Sequence, residues 1–224
     1  MSKILITSGP TRQYLDPVRY ISNGSSGRMG AALAQAALDF GHDVVVVSGP
    51  VVVEYSREVE VIPVLSTEEM LAACQATFPD CDGVIGAAAP CDYRPEIVAT
   101  EKMSKTGEPL VLRLVETTDV IASLGGTKRT NQWVVGFALE TNDRRFRAMK
   151  KLESKCCDLM ILNGPEAMDS RTNRVEVLNR EGEVVERLGG AKRTVANGVL
   201  RAIQYNLIDR EDRFREPTSQ AKPL

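Results

Sequence analysis

Thr7-Ser8-Gly9-Pro10-Thr11-Arg12, followed by Asp16-Pro17-Val18-Arg19-Tyr20-Ile21-Ser22-Asn23-Gly24-Ser25-Ser26-Gly27-Arg28-Met29-Gly30, joins two elements of different kind. Before this stretch, Lys3 to Ile6 reads as a buried strand. After it, Met29, Leu33, Ala36, Ala37 and Phe40 recur at helical spacing, and Gly41 closes that helix. A long loop rich in Gly, Ser, Thr and Arg therefore links the first strand to the first helix. Such a loop gathers backbone N–H groups, hydroxyls and a positive helix end at one point, which suits phosphate.

The same alternation continues outward. Val44 to Ser48 is a run of valines without polar alternation, as in a parallel strand covered on both faces. Val59 to Val64 reads as the next strand. Ser66-Thr67-Glu68-Glu69 is a capping box opening a helix to about Thr77. Gly83 to Ala89 is another buried strand, and Leu110 to Val115 a less enclosed one. Asp119 to Leu124 reads as a short helix ended by Gly125-Gly126. Val134 to Leu139 and Asp158 to Leu162 are strands flanking a helix over Asp143 to Cys156. Val175 to Leu178 and Val184 to Leu188 form a hairpin around Glu181-Gly182-Glu183, and Ala191 to Leu207 is a final helix. The expected architecture is α/β: a Rossmann-like, doubly wound, mostly parallel sheet with helices on both faces and a C-terminal hairpin. One domain is expected over residues 1–208, with a polar, frayed tail over 209–224.

Composition narrows the function. A chain of 224 residues with 43% hydrophobic and 26% charged residues suits a globular protein. A formal net charge of −2 gives no support for a nucleic-acid surface. No apolar run reaches the ~20 residues that span a bilayer, and the chain enters its first strand without a signal peptide. Cys74, Cys81, Cys91, Cys156 and Cys157 form no C-x-x-C pair, and His42 is the one histidine, so a zinc site is not expected. A reduced, cytoplasmic protein follows, with Cys156-Cys157 at the buried end of a helix.

Several motifs have both a functional and a plain reading. Gly24, Gly27 and Gly30 are spaced G-x-x-G-x-x-G, which is not the dinucleotide fingerprint. No Gly-Lys pair exists for a Walker A loop, and no tyrosine has a lysine four residues on, as a short-chain reductase needs. The glycine loop is either a phosphate cradle of another kind or a spacer. Ala87-Ala88-Ala89-Pro90-Cys91-Asp92-Tyr93-Arg94-Pro95 lets a flat ring or a ribose approach the backbone. Asp92 either meets a cation or sugar hydroxyl, or caps a turn. Lys102 and Lys105 are surface charges unless their loop folds over the cleft, where an ammonium stabilises charge at phosphorus. Phe137 suits the core, and Lys150, Lys151 and Lys155 suit a solvated helix face.

Taken in order, these segments resemble phosphopantothenoylcysteine synthetase, the phosphopantothenate–cysteine ligase family of coenzyme A biosynthesis, in its bacterial form. The resemblance runs from Lys3 to about Leu207. It rests on the opening stretch, on Cys91-Asp92-Tyr93-Arg94-Pro95, on Lys102-Met103-Ser104-Lys105 and on Val135 to Thr141. It implies a homodimer that joins 4′-phosphopantothenate to L-cysteine using CTP and Mg²⁺, through an acyl-cytidylate, with loss of pyrophosphate and then CMP. It implies that Asn23 holds the acyl-cytidylate and that Lys102 stabilises the α-phosphate. Ser25, Ser26 and Gly27 would cradle phosphates, with Gly9, Arg19 and Lys105 near them. Ala88, Asp92 and Phe137 would line the nucleotide pocket, Asp92 meeting the metal, with Lys151 and Lys155 close by. Family members are often fused to a flavin-dependent decarboxylase. The sequence starts at the first strand, so the resemblance implies a stand-alone synthetase without FMN and a decarboxylase, if any, as a separate partner.

The chain departs from the family pattern at Ser104, at Pro90-Cys91, at Thr117-Thr118-Asp119 and at Leu162-Asn163-Gly164. These departures keep two alternatives open: the same ligation with ATP, and a non-catalytic nucleotide-binding homologue.

Overall fold

The computed structural model describes residues 1–164 and 172–209. Its central sheet is built from β1 (Lys3–Ser8), β4 (Asp43–Ser48), β5 (Glu60–Pro63), β6 (Gly83–Gly86), β9 (Trp133–Leu139), β10 (Leu159–Asn163), β11 (Thr172–Leu178) and β12 (Val184–Ala191). The strand order is β12-β11-β10-β9-β6-β1-β4-β5. The six strands from β10 to β5 are parallel, and β11 and β12 add an antiparallel hairpin at the β10 edge. This is the expected Rossmann-like arrangement with its C-terminal hairpin.

Helices α1 (Arg28–Asp39) and α5 (Lys192–Ile203) cover one face; α2 (Thr67–Thr77), α3 (Val120–Thr127) and α4 (Arg144–Ser154) cover the other. Strand alternation sorts the core between them. Ile4 and Ile6 pack toward α1 and α5, while Leu5 packs with Met70 and Leu124 on the opposite side. Val44 to Val47 are all buried because both faces are covered. Ser66 caps α2 by accepting from the Glu69 N–H at 3.1 Å, and Glu69 reaches back to the Leu65 N–H at 2.7 Å.

Glycine decides how closely α1 approaches the sheet. Gly27 begins it at φ 73°, and a Cβ there would sit 2.7 Å from Val51 Cγ1. A Cβ on Gly30 would lie 2.1 Å from Ser8 Oγ at the end of β1.

Some expectations are corrected. The first connection is not irregular throughout: β2 (Arg12–Tyr14) and β3 (Tyr20–Ser22) pair antiparallel within it. The Asp16 carboxylate makes its tip, accepting from the N–H groups of Val18 and Arg19 at 2.8 and 2.7 Å. β6 ends at Gly86 rather than Ala89. Leu110 to Val115 yields only the short β8 (Leu114–Glu116), paired with β7 (Tyr93–Pro95) outside the main sheet. Gly125 and Gly126 do not end α3 but lie within it; a Cβ on Gly125 would meet Lys155 O at 2.0 Å, so close helix–turn packing requires that glycine. Cys157 is buried as expected, whereas Cys156 is exposed at φ 50° just beyond α4. Apart from Asp209, the expected tail over 209–224 lies outside the described residues.

Candidate functional site

Two adjoining cavities open at the carboxyl ends of the parallel strands, where ligands bind in such sheets. The first has a volume of about 300 Å³ and the second about 320 Å³, both within the usual range for small-molecule sites. Ala88 and Phe137 line both.

The wall of the first cavity is held by buried hydroxyls. Thr11 and Thr67 share a 2.8 Å hydrogen bond between their Oγ1 atoms. The Cys91 N–H donates to Thr11 Oγ1 at 2.8 Å, and Thr117 Oγ1 donates to Cys91 O at 2.6 Å. The Ala88 N–H donates to Thr7 Oγ1 at 3.2 Å, and the Ala89 N–H to Gly9 O at 2.9 Å. Residues 87–91 are thereby stitched onto the end of β1, with the small faces of Gly86 and Ala88 open to the cavity. Cys91 is buried and its thiol points to the carbonyls of Thr11 and Ile21, so it serves the fold here.

Charge enters this cavity through Asp92, Glu116, Asp119 and Lys155. Asp119 caps α3 by accepting from the Ala122 N–H at 2.9 Å, and pairs with Lys155 Nζ at 2.9 Å. Desolvation pushes the Asp119 carboxyl up, but the Ala122 N–H and Lys155 outweigh it, and its pKa lies below the ordinary carboxylate value.

The second cavity lies between the starts of α1 and α5. Asn23, Ser25, Ser26, Gly27, Asn163, Asn173 and Lys192 line it. Two helix N-termini face this space, a setting that favours an anion. Asn23 Nδ2 is engaged with the carbonyls of Ala89 and Pro90 at 3.3 and 2.8 Å. Its Oδ1 is the remaining polar atom that can meet a ligand, as an acceptor.

The expected residues thus divide. Asn23, Ser25, Ser26, Gly27, Ala88, Asp92, Phe137 and Lys155 line the two cavities. Gly9 does not; its φ of 75° serves the turn after β1, where a Cβ would meet Val51 Cγ1 at 2.5 Å. Arg19 lines neither cavity. It pairs with Asp16 at 3.1 Å and donates to Met103 O at 2.9 Å. The Met103 N–H returns to Asp16 Oδ2 at 3.1 Å. The Asp16 carboxyl is pushed up by burial, but these N–H groups and Arg19 hold it below its usual value. Lys102 and Lys105 flank this clasp, exposed and outside both cavities. Lys151 also lies outside, paired with Glu140 at 2.7 Å. The sequence marks Thr117, Asp119 and Asn163 only as departures from a pattern, and gives no site role to Asn173 or Lys192. The signal for Asn163 and Asn173 was present: each stands where an apolar strand position is due.

Among the described residues no group of three or more His, Cys, Asp or Glu side chains could hold a metal ion. None of their helices is long and apolar enough to cross a membrane.

A family model described as the DNA/pantothenate metabolism flavoprotein C-terminal domain matches residues 1–207. The coenzyme A biosynthesis bifunctional protein CoaBC of Vibrio vulnificus (strain CMCP6) is 40% identical over 207 residues, 90% of this chain and 51% of that protein. A cysteine/cysteine sulfinic acid decarboxylase of an unknown prokaryotic organism is 39% identical over 206 residues, 90% of this chain and 57% of that protein. The chain spans about half the length of these curated relatives. The crystal structure of the C-terminal domain of CoaBC superposes with a TM-score of 0.79 at 35% identity, covering 92% of this chain and 96% of that one.

Proposed function

The chain belongs to the DNA/pantothenate metabolism flavoprotein C-terminal domain family, and on that premise we propose that it joins 4′-phosphopantothenate to L-cysteine in coenzyme A biosynthesis. The observation that carries this reading is the pair of cavities meeting at Ala88 and Phe137. A two-substrate activation needs such a junction, where a carboxylate and a nucleotide α-phosphate come together.

In this reading the nucleotide is CTP and occupies the first cavity. Its base or ribose lies against Gly86, Ala88 and Phe137, with Asp119 and Thr117 as polar partners. Phosphopantothenate occupies the second cavity, its phosphate at the N-terminal ends of α1 and α5. Its carboxylate oxygen attacks the α-phosphorus and pyrophosphate leaves. The cysteine amine then attacks the acyl carbon of the cytidylate, and CMP leaves with the electron pair of the broken C–O bond. A poor electrophile is thereby replaced by a good one.

Asn23 acts at the junction. With Nδ2 bound to two backbone carbonyls, its Oδ1 is placed to orient the attacking amine. Lys102, held beside the clasp on Met103, would reach the α-phosphate by extending its side chain toward the cleft. Charge on the nucleotide phosphates would be neutralised by Mg²⁺ bound to them. Asp92 is the side chain that would meet it, which suits an ion held by one or two carboxylates plus phosphate rather than by a protein cage. A second copy of the chain is the proposed partner. Val18, Ile97, Leu110 and Val111 are all more than half exposed, and the Ala99 N–H bond to Leu15 O brings the two segments together.

The test is pyrophosphate release by the purified chain with phosphopantothenate, cysteine and Mg²⁺. Release with CTP and not ATP is expected. Release with ATP keeps the ligation and revises the nucleotide; no release with either overturns the reading. Asn23→Asp should still release pyrophosphate but fail to consume cysteine, whereas Lys102→Gln should slow the release itself.

A further inference from the structure

We propose that Asn163 and Asn173 read the backbone of the acid substrate through their carboxamide oxygens, an inference that rests on the ligase reading above. Asn163 ends β10, and Asn173 lies on β11. Asn163 is paired with Val175, which makes Asn173 its diagonal neighbour on the same face. Leu159 and Ile161 on β10, and Val177 and Val175 on β11, carry an apolar stripe along that face toward α1 and α5. Both stripes stop at the second cavity, and each stops in asparagine. Leu139, paired with Asn163 across β9, lines the cavity beside them.

Asn173 is only 6% exposed. The Oδ1 atoms of both residues are buried and receive no hydrogen bond among the described residues. An orphaned buried acceptor is costly, and natural folds keep few of them. Two on one cavity wall, where hydrophobic residues would satisfy the fold, indicate selection for a ligand that brings donors. Of the two other such atoms, Asn197 Oδ1 on α5 lines neither site cavity and Glu140 Oε1 is ion-paired with Lys151, so neither carries such a reading.

The substrate's chemistry matches. Phosphopantothenate has an anion at each end. Between them it offers two neutral donors, a secondary hydroxyl and an amide N–H. With the phosphate drawn to the starts of α1 and α5, the middle of the molecule passes the two asparagines. Two acceptors then face two donors. A site built this way rejects analogues that lack the donor, because a buried oxygen is left unpaired.

The experiment is calorimetric titration of phosphopantothenate into the full chain and into Asn163→Leu and Asn173→Leu, which continue the apolar stripe. Wild-type affinity is measured first. Each variant should bind about tenfold more weakly, roughly 1.4 kcal/mol. Asn173→Leu should keep its CTP affinity within about twofold and melt no lower than wild type. Unchanged affinity for phosphopantothenate, or a lowered Tm with affinity intact, overturns the inference and leaves the ligase reading standing. Wild type that neither binds phosphopantothenate nor releases pyrophosphate takes down both. Should a leucine variant fail to fold, wild type is titrated with the analogue lacking the secondary hydroxyl and with the N-methylated amide. Retention of full affinity by both analogues refutes the assignment, and a loss of about tenfold with either supports it.

Discussion

Replacing Asp119 by alanine removes two interactions at once, and their separate sizes can be worked out. The first is the cap of α3, the bond from the Ala122 N–H at 2.9 Å. Losing an acidic N-cap costs about 1 kcal/mol. The second is the pair with Lys155, whose partners are 43% and 25% exposed. Solvent screening at that exposure leaves about 0.5 kcal/mol. A domain of this size loses about 2–4 °C of Tm per kcal/mol, so Asp119→Ala should melt about 3–6 °C below wild type. Asp119→Asn keeps an acceptor for Ala122 and loses only the charge, so it should melt about 1–2 °C lower. The pH dependence has a definite sign. The folded carboxyl titrates below its unfolded value of 3.8. Its stabilisation is therefore complete above that value and is lost as pH falls through the folded one. Scanning calorimetry at pH 7 and again near pH 3 should show the gap between wild type and Asp119→Ala shrinking in acid. Equal melting of the alanine and asparagine variants at pH 7, or a gap that widens in acid, would refute this account of the α3 cap.

Gly30→Ala should destabilise by about 1–2 kcal/mol, since crowding of Ser8 by a new Cβ outweighs the ~1 kcal/mol gained in helix propensity. Gly126→Ala is the control: nothing lies within 4 Å of a Cβ there, so Tm should rise, and calorimetry of the pair checks both signs. Thiol titration of the native chain should modify one cysteine rapidly, the exposed Cys156. Burial pushes the Cys74 and Cys157 thiols up to about 12 and Cys81 to about 11, so these react only after denaturant is added.

The order of elements was legible because uninterrupted valine runs and helical spacing leave little choice in a parallel sheet. Val44 to Val47 and the Ser66 cap are found where the pattern put them. The hairpin of β2 and β3 was hidden because its strands are three residues each and are organised by Asp16, a side chain whose role appears only when its backbone partners are known. Gly125-Gly126 misled for a related reason. A glycine can signal a helix end or a close contact, and here the contact is with Lys155 O, far away in sequence. That Asn23 and Ser25 to Gly27 share one cavity wall was legible, because the chain delivers them together. The partners of Arg19 and Lys151 were not legible, because a cation's partner is set by tertiary neighbours, Asp16 for one and Glu140 for the other.

The clasp of Asp16 and Arg19 on Met103 has a consequence for kinetics. It adds a fixed point at Met103 to the segment between β7 and β8, which Ala99 already ties to Leu15, so that segment behaves as short arcs instead of one long loop. Lys102 is adjacent to the fixed point, its Cα ~3.8 Å away. Its ammonium therefore searches a small shell around a pivot, at a high effective concentration that owes nothing to the bulk. On the ligase reading proposed above, much of the ordering entropy for bringing a cation to the cleft is already spent in the resting chain. Cutting the tether with Arg19→Met should slow capture of the α-phosphate far more than it weakens binding of the nucleotide.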